Sequence, residues 1–366
     1  MAVLNSIFGD IGTNEKLQFM IDSRLEKFNK PWYKELFPFA APQLSLSYVS
    51  VIGETTIAAA ASVVSRDAET PLRSRDALQK LYGEIPAIKV MRKLNESHYR
   101  DYMSLQDLSN VSDEVKKTQA FKLVWDDVNY VATAVDKRLD LFVAQGLSTG
   151  KIEITAENNP DGVVSDEIDL FVPNDNKGQA AISWANAATA TPLKDILLIV
   201  QTGEAQGFSY EKILMDVSLY QKFLATKEVR ETIGSYFGLS PAARNSGTAP
   251  ITQDRVNEYL QASKLPVIEV VNIKVPIQKN GVNTMMNPWN INNAVFIPSG
   301  NLGEIKNAIA VEEQRPVEKV VYAKKDYTLI SKWAQNEPFG EWTKAELNAF
   351  PSFTALNQSY IFTAVA

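Results

Sequence analysis

Apolar residues recur at steps of four and three along one stretch of the chain, a pattern that predicts a long amphipathic helix. The repeating positions are Val124, Val128, Val131, Val135, Leu139 and Phe142. Ser112 suits an N-cap and Gly146 suits a stop, so we expect the helix over residues 112–145. Roughly 30 residues at about 1.5 Å each make a rod about 45 Å long. Because only a broad sheet or another long element can cover such a face, we expect this helix to act as a spine.

The segment before this helix, residues 37–94, has strand-type patterns at both ends and no compact domain between them. An alternating pattern begins at Leu44, and an apolar stretch over residues 85–90 closes the segment. Residues 65–79 between them are polar and charged. Excursions of this length are uncommon inside a self-contained domain and usually reach a ligand or another subunit. The segment therefore indicates assembly rather than catalysis.

Residues 1–45 predict a short helix followed by an irregular arm. The aromatic side chains of the arm need a surface to pack on; they are Trp32, Tyr33, Phe37 and Phe39. Terminal segments of this kind are poorly ordered unless contacts hold them. The surface that holds the arm is either the chain's own domain or a neighbouring subunit, and the sequence leaves both open.

The rest of the chain alternates between helical and strand patterns, which gives an α+β fold class. Alternation over residues 151–155 and 167–171 predicts a β-hairpin, and Asn280-Gly281 predicts a second turn. The other predicted elements are helices over residues 212–240 and 252–262 and strands over residues 266–275, 294–298, 320–322, 327–330 and 360–365.

Composition narrows the classes of function. The chain has no cysteine and a single histidine, His98, so thiolate chemistry is excluded and a zinc site is disfavoured. A net charge of -6 argues against a protein that grips nucleic acid through its phosphates. No apolar run reaches the length of a membrane span, and the first residues lack the pattern of a secretory signal.

No motif predicts an active site. Nucleotide-binding, zinc-protease, serine-hydrolase and calcium-loop spacings do not occur in the sequence. Asp126 and Asp127 are adjacent on the predicted helix, so their carboxylates point about 100° apart and cannot share a proton. We therefore expect no catalytic residue, cofactor or metal. The alternative from another class is a carbohydrate-active or other hydrolase with two distant carboxylates, which needs a pocket holding both.

The order of arm, excursion, spine helix, hairpin, α/β unit and returning strands resembles the lambda-like major capsid protein E family of tailed phages, which has the Hong Kong 97-like fold. The supporting stretches are LFPF at residues 36–39, IPAIKVMR at 85–92, GKIEI at 150–154, SW at 183–184 and NGV at 280–282.

The resemblance implies a division of the chain. Residues 1–45 would be the N-terminal arm, and residues 46–95 the extended β excursion (the E-loop) with its flanking strands. Residues 96–187 and 301–366 would form the peripheral domain, with the spine helix over 112–145, and residues 188–300 the axial domain. The charged E-loop tip would contact a neighbouring subunit through Arg66, Asp67, Glu69, Arg73, Arg75 and Asp76.

The resemblance also implies the partners and the place of action. Copies of the chain would assemble as pentamers and hexamers into an icosahedral head shell that encloses double-stranded DNA without specific recognition. We expect a separate scaffolding protein, because only about 40 residues precede the excursion, together with a portal and an optional decoration protein. Assembly would occur in the host cytoplasm, without a membrane and without an inter-subunit crosslink. A tail-tube protein and an encapsulating compartment remain alternatives.

Overall fold

The computed structural model describes residues 13–52, 79–106, 112–246 and 251–365. Within these ranges the helices are α1 (Asn14–Asp22), α2 (Glu96–Gln106), α3 (Asp113–Thr149), α4 (Pro192–Ala205), α5 (Val217–Ala225), α6 (Lys227–Tyr236), α7 (Pro241–Ser246), α8 (Gln253–Ala262) and α9 (Val311–Gln314). The strands are β1 (Ser47–Ile52), β2 (Gln79–Glu84), β3 (Ala87–Leu94), β4 (Lys151–Ile154), β5 (Ser165–Asp169), β6 (Lys177–Gln179), β7 (Lys212–Asp216), β8 (Val267–Val271), β9 (Val275–Lys279), β10 (Val282–Met286), β11 (Asn293–Ile297), β12 (Glu304–Ala308), β13 (Val321–Lys325), β14 (Thr328–Gln335), β15 (Gly340–Ser352) and β16 (Tyr360–Thr363).

The spine helix α3 packs on an antiparallel sheet built around β15. Strand β15 is 13 residues long and hydrogen-bonds to β14 and β12 on one side and to β3 on the other. Strand β13 extends the sheet beyond β14. All six apolar positions predicted for the spine are buried against this core. The predicted need for a broad sheet over the apolar face is therefore confirmed.

The spine is longer than the sequence indicated. It has 37 residues, about 55 Å, and ends at Thr149 rather than at residue 145. Gly150, with φ of +73°, adopts the left-handed conformation that glycine favours at a helix C-terminus. The prediction that Gly146 stops the helix was wrong.

Packing explains the glycine at position 146. A Cβ atom placed there would lie 2.4 Å from Cζ of Phe353. The Phe353 ring is buried and packs edge-on against Phe37 of the arm, with ring centroids 4.9 Å apart. Gly146 lies within the helix, and because it has no side chain the spine can pack closely against the segment after β15.

A second sheet has the strand order β6-β16-β11-β7-β8, with α4, α5, α6 and α8 packed around it. Strand β7 lies within the stretch predicted to be helical, so the prediction of helix from residue 212 was wrong and helix begins at Val217. Four of the five β7 residues are buried, and a short apolar run buried on both faces has no period that separates strand from helix. Asp216 ends the strand and caps α5 by accepting a hydrogen bond from the Ser218 N–H at 2.7 Å.

This second sheet draws strands from three parts of the chain. Strand β16 pairs antiparallel with β11 and parallel with β6. Residues 177–179 and 360–363 therefore hydrogen-bond in the same sheet as β7, β8 and β11. The predicted division assigns those three strands to the axial domain and residues 177–179 and 360–363 to the peripheral domain. Trp184 also lies in the core of the second sheet.

Two hairpins flank the spine. Strands β4 and β5 pair antiparallel as the predicted hairpin, with a register shift between Ile152 and Ile154. Strand β5 covers Ser165–Asp169, two residues earlier than the predicted 167–171, and Phe171 has a positive φ of 53° that ends the extended backbone. Strands β9 and β10 pair across Asn280 and Gly281, whose φ values of 52° and 79° match a tight type I′ turn. Val275 and Ile277 of β9 are buried in the core that contains the spine.

We predict that Gly146→Ala destabilises the unassembled subunit by up to about 2 kcal/mol. Alanine gains about 1 kcal/mol of helix propensity, but displacing a packed aromatic ring costs about 1–3 kcal/mol. Urea unfolding followed by circular dichroism measures the difference. Phe353→Leu should reduce the penalty in the double variant, and a Gly146→Ala subunit more stable than wild type would contradict this account.

Candidate subunit interfaces

The aromatic residues of the N-terminal arm pack on the chain's own core. Tyr33 and Phe37 are completely buried. Trp32 meets Trp289 edge-on at 6.2 Å, and Phe39 packs against Tyr327 at 5.0 Å between ring centroids. In the isolated chain the arm is therefore held by its own domain.

Backbone hydrogen bonds continue this attachment beyond the aromatic residues. The arm runs parallel to β12 with bridges at Phe39–Ile305 and Gln43–Ala308. The Ile305 N–H donates to the Pro38 carbonyl at 2.8 Å, and the Ala40 N–H donates to the Ile305 carbonyl at 2.9 Å. The arm thus adds a strand-like edge to the spine-covering sheet and leads directly into β1.

A buried polar cluster fixes the arm to the spine. The Tyr33 hydroxyl donates to Asp136 Oδ1 at 3.1 Å, and Lys325 Nζ of β13 donates to Asp136 Oδ2 at 2.6 Å. The Tyr33 N–H donates to Asp140 Oδ1 at 3.0 Å, one helical turn further along. Burial raises the pKa of the Asp140 carboxyl, and burial together with Asp136 raises the pKa of the Tyr33 hydroxyl. The cluster joins three separate segments at one point.

Sequence reasoning missed this cluster, although the sequence contains a signal for it. Asp136 and Asp140 are four residues apart, directly after the buried positions Val135 and Leu139. Acidic residues beside an apolar stripe usually lie on the solvated face. Asp136 is paired with Lys325, which follows nearly 200 residues later in the sequence, whereas Asp140 is paired with Lys137 of the same helix at 3.3 Å.

Side-chain amides cover one edge of each large sheet. The Lys324 N–H of β13 donates to Gln18 Oε1 at 2.7 Å, and Gln18 Nε2 donates to the Lys324 carbonyl at 3.0 Å. Asn257 of α8 makes the same pair of bonds with Ile268 of β8, at 2.8 and 3.0 Å. A carboxamide side chain carries both an N–H donor and a C=O acceptor, as a peptide unit does. It therefore makes the two hydrogen bonds that a neighbouring strand would otherwise make at this residue. These edges are thereby protected against pairing with another chain.

The base of the predicted E-loop is a two-stranded ribbon. Strands β1 and β2 pair antiparallel from Ser47–Glu84 to Ile52–Gln79, and within the described residues they pair only with each other. A two-stranded ribbon is marginally stable alone in water. The predicted tip residues lie outside the described residues: Arg66, Asp67, Glu69, Arg73, Arg75 and Asp76. Their contact with a neighbour stays a prediction.

Two neighbouring, half-buried carboxyl groups beside the second sheet's core have structural partners. Asp195 Oδ2 accepts from Trp184 Nε1 at 2.9 Å, and Glu228 Oε2 accepts from the Leu193 N–H at 2.9 Å. Burial raises the pKa of both carboxyl groups, and the charge of Asp195 raises that of Glu228 further. Glu228 of α6 thus accepts a hydrogen bond from a backbone N–H that has no partner within the first turn of α4, and this bond aligns the two helices.

The hydrolase alternative requires two carboxyl groups in one pocket. A cleft of about 490 Å³ lies between α3, Arg92 and the β9–β10 hairpin. Within its described lining Asp126 is the single carboxylate. Asp127 is not part of this lining, and its Oδ1 pairs with Arg92 at 3.2 Å. His98 is exposed, with Nδ1 accepting from the Asn95 N–H at 3.4 Å.

The described residues also lack a metal-binding cluster and a membrane-spanning helix. They contain no group of three or more histidine and carboxylate side chains placed to hold a metal ion. They also contain no helix with both the length and the apolar content needed to cross a bilayer.

Comparison with known proteins identifies the family. The family model for phage major capsid protein E matches residues 24–364. The chain belongs to this family. It is a major capsid protein of the tailed-phage type, and the predicted function is confirmed. The family match favours a phage shell over the alternatives of tail tube and encapsulating compartment.

Solved structures confirm the Hong Kong 97-like fold of this capsid protein. One neighbour, described as a prophage capsid protein of Escherichia coli CFT073, is 13% identical with a TM-score of 0.58, and the match covers 97% of this chain and 99% of that one. A phage-related protein from Bordetella bronchiseptica RB50 is 12% identical with a TM-score of 0.51, over 100% and 98% of the two chains. A search of curated sequences gave no match.

We predict that Lys325→Met destabilises the subunit by about 3–5 kcal/mol, because it leaves the buried Asp136 carboxylate without its cation. Lys30→Met is the matched control. Its ion pair with Glu35 is exposed, with side-chain exposures of 70% and 48%, so it should cost less than about 1 kcal/mol. Chemical denaturation measures both variants. Equal losses would contradict the anchoring role of the Tyr33–Asp136–Lys325 cluster.

We predict that Glu228→Gln stabilises the subunit more at about pH 7.5 than at about pH 4.5. The folded-state pKa of Glu228 is raised, so the folded chain binds protons more readily than the unfolded chain. Wild-type stability therefore rises, relative to the glutamine variant, as pH falls through the raised pKa. Denaturation at both pH values measures the difference. Glu204→Gln, an exposed change on α4, is the control, and an equal shift in both variants would refute the assignment.

Proposed function

We propose that this capsid protein tiles an icosahedral head shell as pentamers and hexamers, with each copy anchored by its own arm and linked to neighbours through its E-loop. The supporting observation is the family match over residues 24–364 together with the spine, sheet and hairpin arrangement of the fold. The shell of the virion is where the family places its members.

The two attachments of the N-terminal half have different roles in this proposal. The arm is fixed internally by Tyr33, Phe37 and the β12 bridges, so it sets the direction in which β1 leaves the body. The β1–β2 ribbon carries the E-loop, and its tip charges would form salt bridges on an adjacent copy. Pairing between unlike surfaces of identical subunits forms a ring when the rotation from one copy to the next closes.

Membership of the family supports our proposal for the remaining partners. A separate scaffolding protein would guide assembly in the host cytoplasm, a portal would occupy one vertex, and a decoration protein is an optional addition. The net charge of -6 suits a wall that encloses DNA without binding it specifically. We assign no catalytic activity or cofactor to the chain.

The test is assembly of the full chain, expressed alone or with its neighbouring genes, followed by sedimentation and negative-stain electron microscopy. Wild type should form closed particles. Neutralising the six tip charges as Arg66→Gln, Asp67→Asn, Glu69→Gln, Arg73→Gln, Arg75→Gln and Asp76→Asn should reduce particle yield about tenfold if a contact loses about 1.4 kcal/mol. Circular dichroism of the unassembled variant controls for folding. A strictly monomeric wild type would overturn the proposal, and full assembly of the variant would remove the role of the tip.

A further inference from the structure

The β4–β5 hairpin presents an acidic surface with an apolar tip. Residues 151–169 contain six carboxylates and one lysine, and Lys151 is paired with Glu167 at 2.5 Å. Asp161 is exposed, and Val163 and Val164 beside it are 79% and 59% exposed. Within the described residues Asp161 has no ion pair, so the tip offers a free charge beside two exposed apolar side chains that a partner could cover.

The loop of this hairpin is held in place by buried polar contacts. Arg138 of the spine donates to the Asn158 carbonyl at 2.8 Å, and Asn158 Nδ2 donates to the Glu153 carbonyl at 2.8 Å. The Thr155 N–H donates to Asn158 Oδ1 at 3.0 Å. Asn158 is 4% exposed. A loop fixed in this way loses little conformational entropy when a partner binds.

The β9–β10 hairpin has the opposite charge. Residues 272–292 contain Lys274 and Lys279 and no carboxylate. Lys279 lies directly opposite Val282 beside the Asn280-Gly281 turn, and Val282 is 66% exposed. Within the described residues Lys279 has no ion pair. This hairpin also packs on the spine, through buried Val275 and Ile277.

We infer that the acidic tip of β4–β5 in one copy binds the basic tip of β9–β10 in a neighbouring copy. The pairing would place Val163 and Val164 against Val282, with Asp161 facing Lys279. This inference rests on the proposed self-assembly and names one contact within it. Because the two patches differ, the contact is head-to-tail and can propagate around a ring of subunits.

Charge and burial have separate roles in this contact. The valines supply the apolar area removed from water, at about 25 cal/mol per Å². The exposed charges mainly select the partner and fix the register, since exposed ion pairs contribute little free energy while like charges in contact repel strongly. Reversing one charge should therefore weaken the contact, and reversing both should restore it.

The experiment compares Asp161→Lys, Lys279→Glu and the double variant in the assembly assay of the full chain. Each single reversal should raise the protein concentration needed for assembly about tenfold, the equivalent of about 1.4 kcal/mol per contact. The double variant should assemble near the wild-type concentration. The matched control combines Asp161→Lys with Lys27→Glu, which restores the net charge at an exposed lysine of the arm and should not rescue assembly.

The outcomes separate this contact from the proposed function. Rescue by Lys279→Glu and not by Lys27→Glu supports the contact. Normal assembly of both single variants, or loss without specific rescue, overturns the contact while leaving shell formation intact. A wild-type chain that does not assemble overturns both. Melting temperatures of the unassembled variants should match wild type, which attributes the loss to assembly rather than to folding.

Discussion

The structure depends on covering the apolar face of one very long helix. The six buried Val, Leu and Phe positions of α3 span about 27 Å of a helix that is about 55 Å long. This face cannot be left in water, since each such side chain contributes about 1.5–3 kcal/mol when buried. A small helical domain does not offer so long a surface, but a sheet centred on the 13-residue β15 does. The arm, the hairpins and the second sheet all attach to this helix–sheet pair.

Buried charges fix the alignment of these layers. Lys325 with Asp136, and Lys332 with Glu341 at 2.6 Å, are ion pairs in the interior. Such pairs are weak sources of net stability, because desolvation offsets most of their attraction, but a misaligned pair would leave a bare charge in the core. They therefore make any other arrangement of arm, spine and sheet costly. A subunit that must fit the same neighbours repeatedly benefits from one fixed arrangement.

The surfaces that remain for other copies are defined by what the chain has already covered. Gln18 and Asn257 cover sheet edges that would otherwise pair with any strand. The arm uses its aromatic residues internally. Three two-stranded sheets lie outside the two large sheets, namely β1–β2, β4–β5 and β9–β10. Each offers a small surface, so selective contact between copies requires matched charge and shape rather than large buried area.

The sequence by itself determined the elements with a local cause. These are the spine from its period, the turn from the Asn280-Gly281 pair, whose residue types tolerate positive φ, and α8 from its Thr252 cap. The order of the predicted elements along the chain also indicated the family. Tertiary structure decided whatever depends on a distant partner. Gly146 lies within the helix because Phe353 packs against it, β7 is a strand because both its faces are covered, and Asp136 is buried because Lys325 reaches it. These outcomes depend on contacts between residues far apart in the chain, and periodicity and capping rules describe only neighbours.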